Sequence, residues 1–208
     1  MNSISERERL HALSEPDRAF WGREGIVLAG MDEVGRGPLA GPVVVCCAVM
    51  PPEPLIERVN DSKQVSELRR EALFPVLTET ALGYSLGWVG ADVINEINIL
   101  EATRLAFEQA FQTMPIAVSD VLIDALTNLK ISARQHPMIH GDELSYSIAC
   151  ASIIAKVSRD RYMVEQDAIY PEYGFARHKG YGTKEHIAAL RKFGPCPLHR
   201  DLFVRKYV

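Results

Sequence analysis

A chain of 208 residues, 47% hydrophobic and 24% charged, has the make-up of an ordinary globular protein able to bury a sizeable core, in one domain or one domain with a small appendage. Its net charge of −4 hides an asymmetry: residues 156–208 hold eleven Lys/Arg against six Asp/Glu, while residues 1–155 hold twelve against twenty-one. That division suits an acidic metal centre beside a basic binding surface. The four cysteines, Cys46, Cys47, Cys150 and Cys196, form no Cys-x-x-Cys pair and read as free thiols in a reducing compartment. Charged Glu6-Arg7-Glu8-Arg9 stands where a signal peptide needs its apolar core. Residues 38–50, the longest apolar stretch, are too few and too rich in Pro and Gly to cross a bilayer. The expectation is a cytoplasmic protein that acts as a monomer, with no membrane partner.

Residues 1–24 are polar with a helical tendency and read as an N-terminal extension, a short helix anchored by Phe20 and Trp21, ahead of a domain over residues 25–208. Residues 26–31 form the first predicted strand, and it runs into Asp32-Glu33-Val34-Gly35-Arg36-Gly37. Side chains in a strand alternate faces, so two adjacent carboxylates converge only where the strand ends or bulges, a freedom that Gly35 and Gly37 supply. Residues 43–50, mostly β-branched or apolar, form a second strand covered on both faces, and Pro51-Pro52-Glu53-Pro54 ends it. Ser66 is placed to cap a helix. Residues 82–89 form a third strand, and residues 92–114 a long amphipathic helix with Ile97, Leu100, Leu105, Phe107 and Phe111 on its apolar side. Residues 120–124 are a fourth strand ending on Asp124, and residues 137–142 a fifth ending on Asp142. A long helix over 145–170 opens with small and apolar residues suited to close packing on a sheet. Residues 173–181 form a Gly- and base-rich loop, and residues 183–193 a last helix capped by Thr183. This order is that of an α/β layered domain.

Three predicted strand ends thus deliver carboxylates: Asp32 with Glu33, Asp124, and Asp142. Strand ends at one edge of an α/β sheet are where ligands bind. Crowded carboxylates raise one another's pKa values unless a cation is present, and a hard divalent ion with oxygen ligands resolves the conflict, favouring Mg²⁺ or Mn²⁺ over zinc. Singly, Asp124 or Asp142 reads as a cap or turn residue; together the four read as a metal centre.

The string Met31-Asp32-Glu33-Val34-Gly35-Arg36-Gly37-Pro38-Leu39-Ala40-Gly41-Pro42 resembles the signature of ribonuclease HII, the bacterial type 2 ribonuclease H family. Further blocks follow in the family's order: Asn60-Asp61-Ser62-Lys63, Val121-Leu122-Ile123-Asp124, Gly141-Asp142 before the helix containing Ser152 and Lys156, the stretch from Tyr173 to Thr183, and His199-Arg200. The resemblance implies a ribonuclease H-like fold, a five-stranded mixed sheet flanked by helices with extra C-terminal helices, and makes residues 25–208 the catalytic domain. It implies that Asp32, Glu33, Asp124 and Asp142 are the catalytic, metal-binding acids, with Mg²⁺ or Mn²⁺ as cofactor. Gly35, Arg36 and Gly37 contact the ribonucleotide and its phosphate, partly through backbone, and Tyr181 stacks on the following deoxyribose. Lys63, Ser152 and Lys156 complete the substrate contacts, and Lys179 is a further candidate to hold phosphate. The implied substrates are RNA/DNA hybrids and duplex DNA carrying single ribonucleotides, cut on the 5′ side of the ribonucleotide to leave 3′-hydroxyl and 5′-phosphate, as in ribonucleotide removal during DNA repair. Two positions depart from the family pattern. Ala125 stands where glycine is usual, which is expected to tighten the turn beside the metal, and Leu202 stands where serine often precedes the phenylalanine. A junction resolvase or transposase-like nuclease on the same fold is opposed by the Gly-Arg-Gly and Lys-Gly-Tyr blocks. A non-catalytic nucleic-acid binder is opposed by the four acids, which repel phosphate.

Overall fold

The computed structural model describes residues 3–124 and 126–208, so the expectation for Ala125 lies outside the described residues. In chain order the elements are α1 (Ser3–Leu13), α2 (Glu15–Arg18), β1 (Leu28–Val34), β2 (Val43–Val49), α3 (Glu67–Thr80), β3 (Gly83–Val89) and α4 (Ala91–Gln112). They continue with β4 (Asp120–Asp124), β5 (Arg134–Met138), α5 (Gly141–Leu144), α6 (Tyr146–Ile169), α7 (Phe175–His178), α8 (Lys184–Phe193) and α9 (Asp201–Val204). The strands form one mixed sheet in the order β3-β2-β1-β4-β5. β1 to β3 are antiparallel neighbours, and β4 and β5 add in parallel beyond β1.

Every residue of β2 is buried, as its Val/Cys/Ala sequence requires of a strand covered on both sides. Alternation sorts its side chains: Cys46 and Ala48 pack with Ile153, Ile154, Leu73 and Leu77 of α6 and α3, while Val45 and Cys47 pack with Phe107 and Ala110 of α4. Helix α6 lies hard against β1. A Cβ on Gly30 would come 2.2 Å from the Ser147 carbonyl carbon, so only glycine permits this approach. The start of α6 is fixed by Asp17, which is fully buried and accepts hydrogen bonds from Ser145 Oγ (3.0 Å), Tyr146 N (3.0 Å) and Ser147 N (2.9 Å). These satisfy N–H groups that a helix start leaves unpaired. Residues ahead of β1 therefore dock on the domain: Leu10 and Leu13 join its core, Phe20 packs edge-on to His136, and Trp21 edge-on to Tyr146.

Four predicted elements differ from the structure. The first strand runs on to Val34, so Asp32 and Glu33 lie inside it, opposite Cys46 and Val45 of β2, and not at an end or bulge. β4 stops pairing with β1 at Met31, so neither residue is paired to β4. The fifth strand is shifted: it spans Arg134–Met138, and Asp142 sits on the one-turn helix α5. Its register is set by Asp120, which binds Arg134 and His136 at 2.9 Å each, and not by the apolar run that follows. His140, in left-handed backbone conformation, then turns the chain into α5. The long fourth helix is interrupted at Asn98 (φ 70°, ψ 167°), whose side-chain oxygen accepts from Leu100 N and Glu101 N and so caps the second half as a new helix. The loop over residues 173–181 also contains α7. α8 and α9 are the expected extra C-terminal helices, and their Leu190 and Val204 close a separate cluster with Leu39, Met163, Tyr173 and Phe175.

Candidate active site

Asp32 lies on the α6 face of β1, two residues past Gly30, and is buried. Burial pushes its carboxyl well above the usual range, the charges of Glu33, Asp124 and Asp142 push the same way, and a hydrogen bond from Ser152 opposes them. Glu33 is raised to about 7, first by burial, with Asp124 adding and Arg36 and Lys63 opposing. Arg36 Nη1 is 3.3 Å from its Oε1. Asp124 ends β4, and its carboxyl is raised by burial although Gly141 N donates to Oδ1 at 2.8 Å. Asp142, also buried, accepts from Lys63 Nζ at 3.0 Å. The structure therefore brings the four predicted acids within electrostatic reach of one another.

Among the described residues, no three His, Cys, Asp or Glu groups form a ready-made metal cage. The donor set nonetheless fits a hard divalent cation. It consists of carboxylate oxygens with no soft ligand among them, and the anionic forms of Asp32, Glu33 and Asp124 are disfavoured until positive charge arrives. Asp32, Glu33, Asp124 and Asp142 are the residues that would hold it.

The segment carrying Asn60-Asp61-Ser62-Lys63 closes over these acids. Asp61 Oδ1 accepts the Lys63 N–H at 3.0 Å, Ser152 Oγ donates to Ser62 Oγ at 2.8 Å, and Arg70 Nη1 donates to the Ser62 carbonyl at 2.8 Å. Lys156 is committed to Asp160 at 2.7 Å. Lys179 is turned away from the acids, to the Ala176 carbonyl at 2.6 Å and Glu67 at 3.2 Å, which removes it as a phosphate ligand in this conformation.

Beside the acids, Gly35, Arg36 and Gly37 form a loop with its carbonyls turned inward. The fully buried Arg200 donates to the carbonyls of Gly35 (2.6 Å), Arg36 (3.0 Å), Pro38 (2.9 Å) and Gly41 (2.7 and 3.0 Å). The fully buried Arg159 donates to Ala40 (3.0 Å), Pro42 (2.9 Å) and Lys179 (2.9 Å). Burial, and then the charge of Arg159, pulls the Arg200 guanidinium down to about 9, which leaves it charged at neutral pH. Gly35 has φ +92°, and a Cβ there would meet Arg159 Nε at 2.4 Å, so the residue satisfies both a backbone and a space requirement. With the carbonyls held inside, the N–H groups of Arg36 and Gly37 have no acceptor among the described residues. The sequence marks neither buried arginine as a working part: Arg159 and Arg200 each stand inside a longer family block, and no periodicity marks a buried arginine.

Tyr181 is partly exposed beyond this loop, with Lys156 Nζ 5.5 Å and the Arg159 guanidinium 5.9 Å from its ring centre. Its carbonyl is held by His186 Nδ1 at 2.9 Å. From Gly37 and Gly182 an open groove of about 640 Å³ continues past Leu202 and Phe203 to Arg205 and Lys206. Leu202, exposed along this groove, has a hydrocarbon side chain and offers no hydroxyl to a phosphate there.

A mixed sheet of this order, with acids delivered by β1 and β4 beneath one long helix, defines a nuclease of the ribonuclease H-like class. The solved structure of ribonuclease H2 from Pyrococcus horikoshii OT3 superposes with a TM-score of 0.72 at 28% identity, covering 88% of this chain and 97% of that one. The ribonuclease HII of Ruminiclostridium cellulolyticum is 48% identical over 203 residues, spanning 98% of this chain and 80% of the relative. That of Caldicellulosiruptor bescii is 49% identical over 178 residues, 86% of each. The family profile of ribonuclease HII matches residues 29–206, and the chain belongs to the ribonuclease HII family, endoribonucleases that hydrolyse RNA paired with DNA. No helix among the described residues is long and apolar enough to cross a membrane.

Proposed function

We propose that this chain cuts the RNA strand of RNA/DNA hybrids and also single ribonucleotides embedded in duplex DNA. On this reading it cuts on the 5′ side of the ribonucleotide, leaves 3′-hydroxyl and 5′-phosphate, and works as a monomer with Mg²⁺ or Mn²⁺ held by Asp32, Glu33, Asp124 and Asp142. The observation that carries the reading is the adjacency of the carboxylates Asp32, Glu33 and Asp124, each raised by burial and by its neighbours, and of Asp142 beside them, to a backbone loop whose N–H groups at Arg36 and Gly37 have no acceptor among the described residues. Bound divalent cations supply a nucleophilic water at neutral pH and neutralise the leaving 3′-oxygen.

The chain's own residues do the rest. The N–H groups of Arg36 and Gly37 approach a ribose closely enough to distinguish a 2′-hydroxyl, the group that separates RNA from DNA. Arg36 and Lys63, which touch Glu33 and Asp142, and Lys156 beside the Tyr181 ring would hold phosphates without reading sequence. Ser152, beside Asp32 and bonded to Ser62, ties the Asn60–Lys63 segment to the acid site. Tyr181, backed by two cations, presents its face to the following sugar and is intolerant of a hydroxyl there. Residues 25–208 serve as the catalytic domain, and residues 1–24 as an extension that steadies α6 through Asp17. Arg205 and Lys206, along the groove from Gly37, extend the phosphate track into the basic C-terminal portion.

The test is cleavage of a 5′-labelled DNA duplex containing one ribonucleotide, with and without Mg²⁺ or Mn²⁺. A product ending in 3′-hydroxyl immediately 5′ of the ribonucleotide is expected only with metal. Cutting on its 3′ side, or metal-independent cutting, contradicts the reading.

A further inference from the structure

Lys63 has an unusual partner for a surface lysine. Its side chain is 78% exposed, yet its ammonium sits 3.0 Å from Oδ2 of Asp142, which is 5% exposed. The contact is prepared by its own segment: Asp61 takes the Lys63 N–H, and Arg70 holds the Ser62 carbonyl. The other cations around the site are engaged elsewhere, Arg36 with Glu33, Lys156 with Asp160, and Lys179 with Glu67 and a carbonyl. Lys63 is therefore the cation paired with Asp142, on the carboxylate that the proposed function assigns to a metal.

We propose that Lys63 is a built-in competitor for the cation at Asp142. In the metal-free protein its ammonium supplies the positive charge that Asp142 needs, and a divalent ion must displace it to bind. Lys63 then swings out through its exposed stem to the solvent side, where substrate phosphate lies. Because one ammonium cannot serve both partners, phosphate that draws Lys63 away strengthens metal binding, and metal that frees Lys63 strengthens phosphate binding by the same factor. This inference rests on the reading of Asp142 as a metal ligand and adds a residue that tunes its loading.

The experiment measures Mn²⁺ binding directly, from the free-ion electron paramagnetic resonance signal, on the whole metal-stripped chain. Because the lysine side chain is exposed, Lys63→Met is expected to fold like the parent and to bind Mn²⁺ about fivefold tighter, the span of a partly exposed ion pair. Lys63→Arg, which keeps the charge, should stay near the parent. Lys156→Met removes the same charge from a lysine already paired with Asp160, and should shift affinity less than about twofold. Lys63→Met with unchanged or weaker affinity overturns the proposal, and so does an equal tightening in Lys156→Met, which would reduce the effect to net charge. In a second measurement, the nitrogen resonance of the Lys63 ammonium should shift when Mg²⁺ is added; no shift at saturating Mg²⁺ also overturns it. A parent protein that binds no Mn²⁺ and leaves the ribonucleotide-containing duplex uncut removes the proposed function itself. One that binds and cuts while all the variants bind alike removes only the role of Lys63.

Discussion

Replacing Arg200 by lysine tests whether the Gly35–Gly37 loop is held from within. The guanidinium makes five donor contacts to four carbonyls, and the residue is fully buried. An ammonium on a flexible stem reaches two of those carbonyls at once, so about two are left without a donor. A buried polar group left unpaired costs about 1–3 kcal/mol. The loop lies close enough to water for some repair, so a loss of about 3 kcal/mol is expected from a total stability of about 5–15 kcal/mol. For a domain of this size that is a fall in Tm of about 6–12 °C. The orphaned carbonyls also let the peptide planes rotate, which misdirects the N–H groups of Arg36 and Gly37. At a temperature where the variant is still folded, kcat/KM on a single-ribonucleotide duplex should fall by about thirtyfold or more, about 2 kcal/mol of transition-state stabilisation. Leu202→Ala, an exposed neighbour along the groove, should change neither measurement appreciably. Arg200→Lys that melts lower but cleaves like the parent leaves Arg200 a folding residue and removes the cradle. A variant that neither melts lower nor cuts more slowly refutes the reasoning altogether.

Asp124→Asn should remove most turnover while leaving the metal-free Tm unchanged or higher, because it deletes one of the mutually repelling charges without changing shape; full turnover excludes Asp124 as a ligand. Glu33 is held at about 7 in the folded protein against an ordinary 4.5, so the folded form keeps its proton where the unfolded form has lost it. Its contribution to stability is therefore present below pH 4.5 and lost as pH rises through 7. Denaturant titrations in chelator should show stability falling across that window, and Glu33→Gln should flatten the fall; an unchanged slope in the variant assigns it to other groups. Tyr181→Ala should lower cleavage at a lone ribonucleotide by about tenfold or more, given about 1–3 kcal/mol for a stacking contact, while Tyr181→Phe keeps most activity. Equal loss on a uniform hybrid and on the single-ribonucleotide duplex removes the junction-reading role of Tyr181.

The sheet was legible because its signals are local. Val43 to Val49 are apolar without interruption, Asp120 to Asp124 are bounded by turns, and the run from Met31 to Pro42 carries its chemistry in consecutive residues. What escaped depends on distant partners. Asn98 is an ordinary polar residue in a helical pattern until its side chain is seen capping the next turn. Asp17 binds residues about 130 positions away, and Arg200 binds carbonyls more than 150 positions away. Residues 137–142 look like a strand ending on Asp142, but the pairing of Arg134 with Asp120 places the strand earlier, ends it at Met138 and leaves Asp142 to a helical turn.

Helix α6 gives the molecule a fixed length scale. Ser152 lies beside Asp32 at the acid end, while Lys156 and Arg159, four and seven residues later, lie against the ring of Tyr181. At 1.5 Å per residue these stations are about 6 and 10 Å apart along one rigid rod, or about two to three base steps of 3.4 Å along one DNA strand. The helix is clamped at its start by Asp17 and pressed onto β1 at Gly30, so it cannot slide. If Tyr181 senses the sugar and the acids cut the chain, the offset between the sensed and cut positions is set by helical rise. Loop changes would then alter how well this protein cuts, but not where.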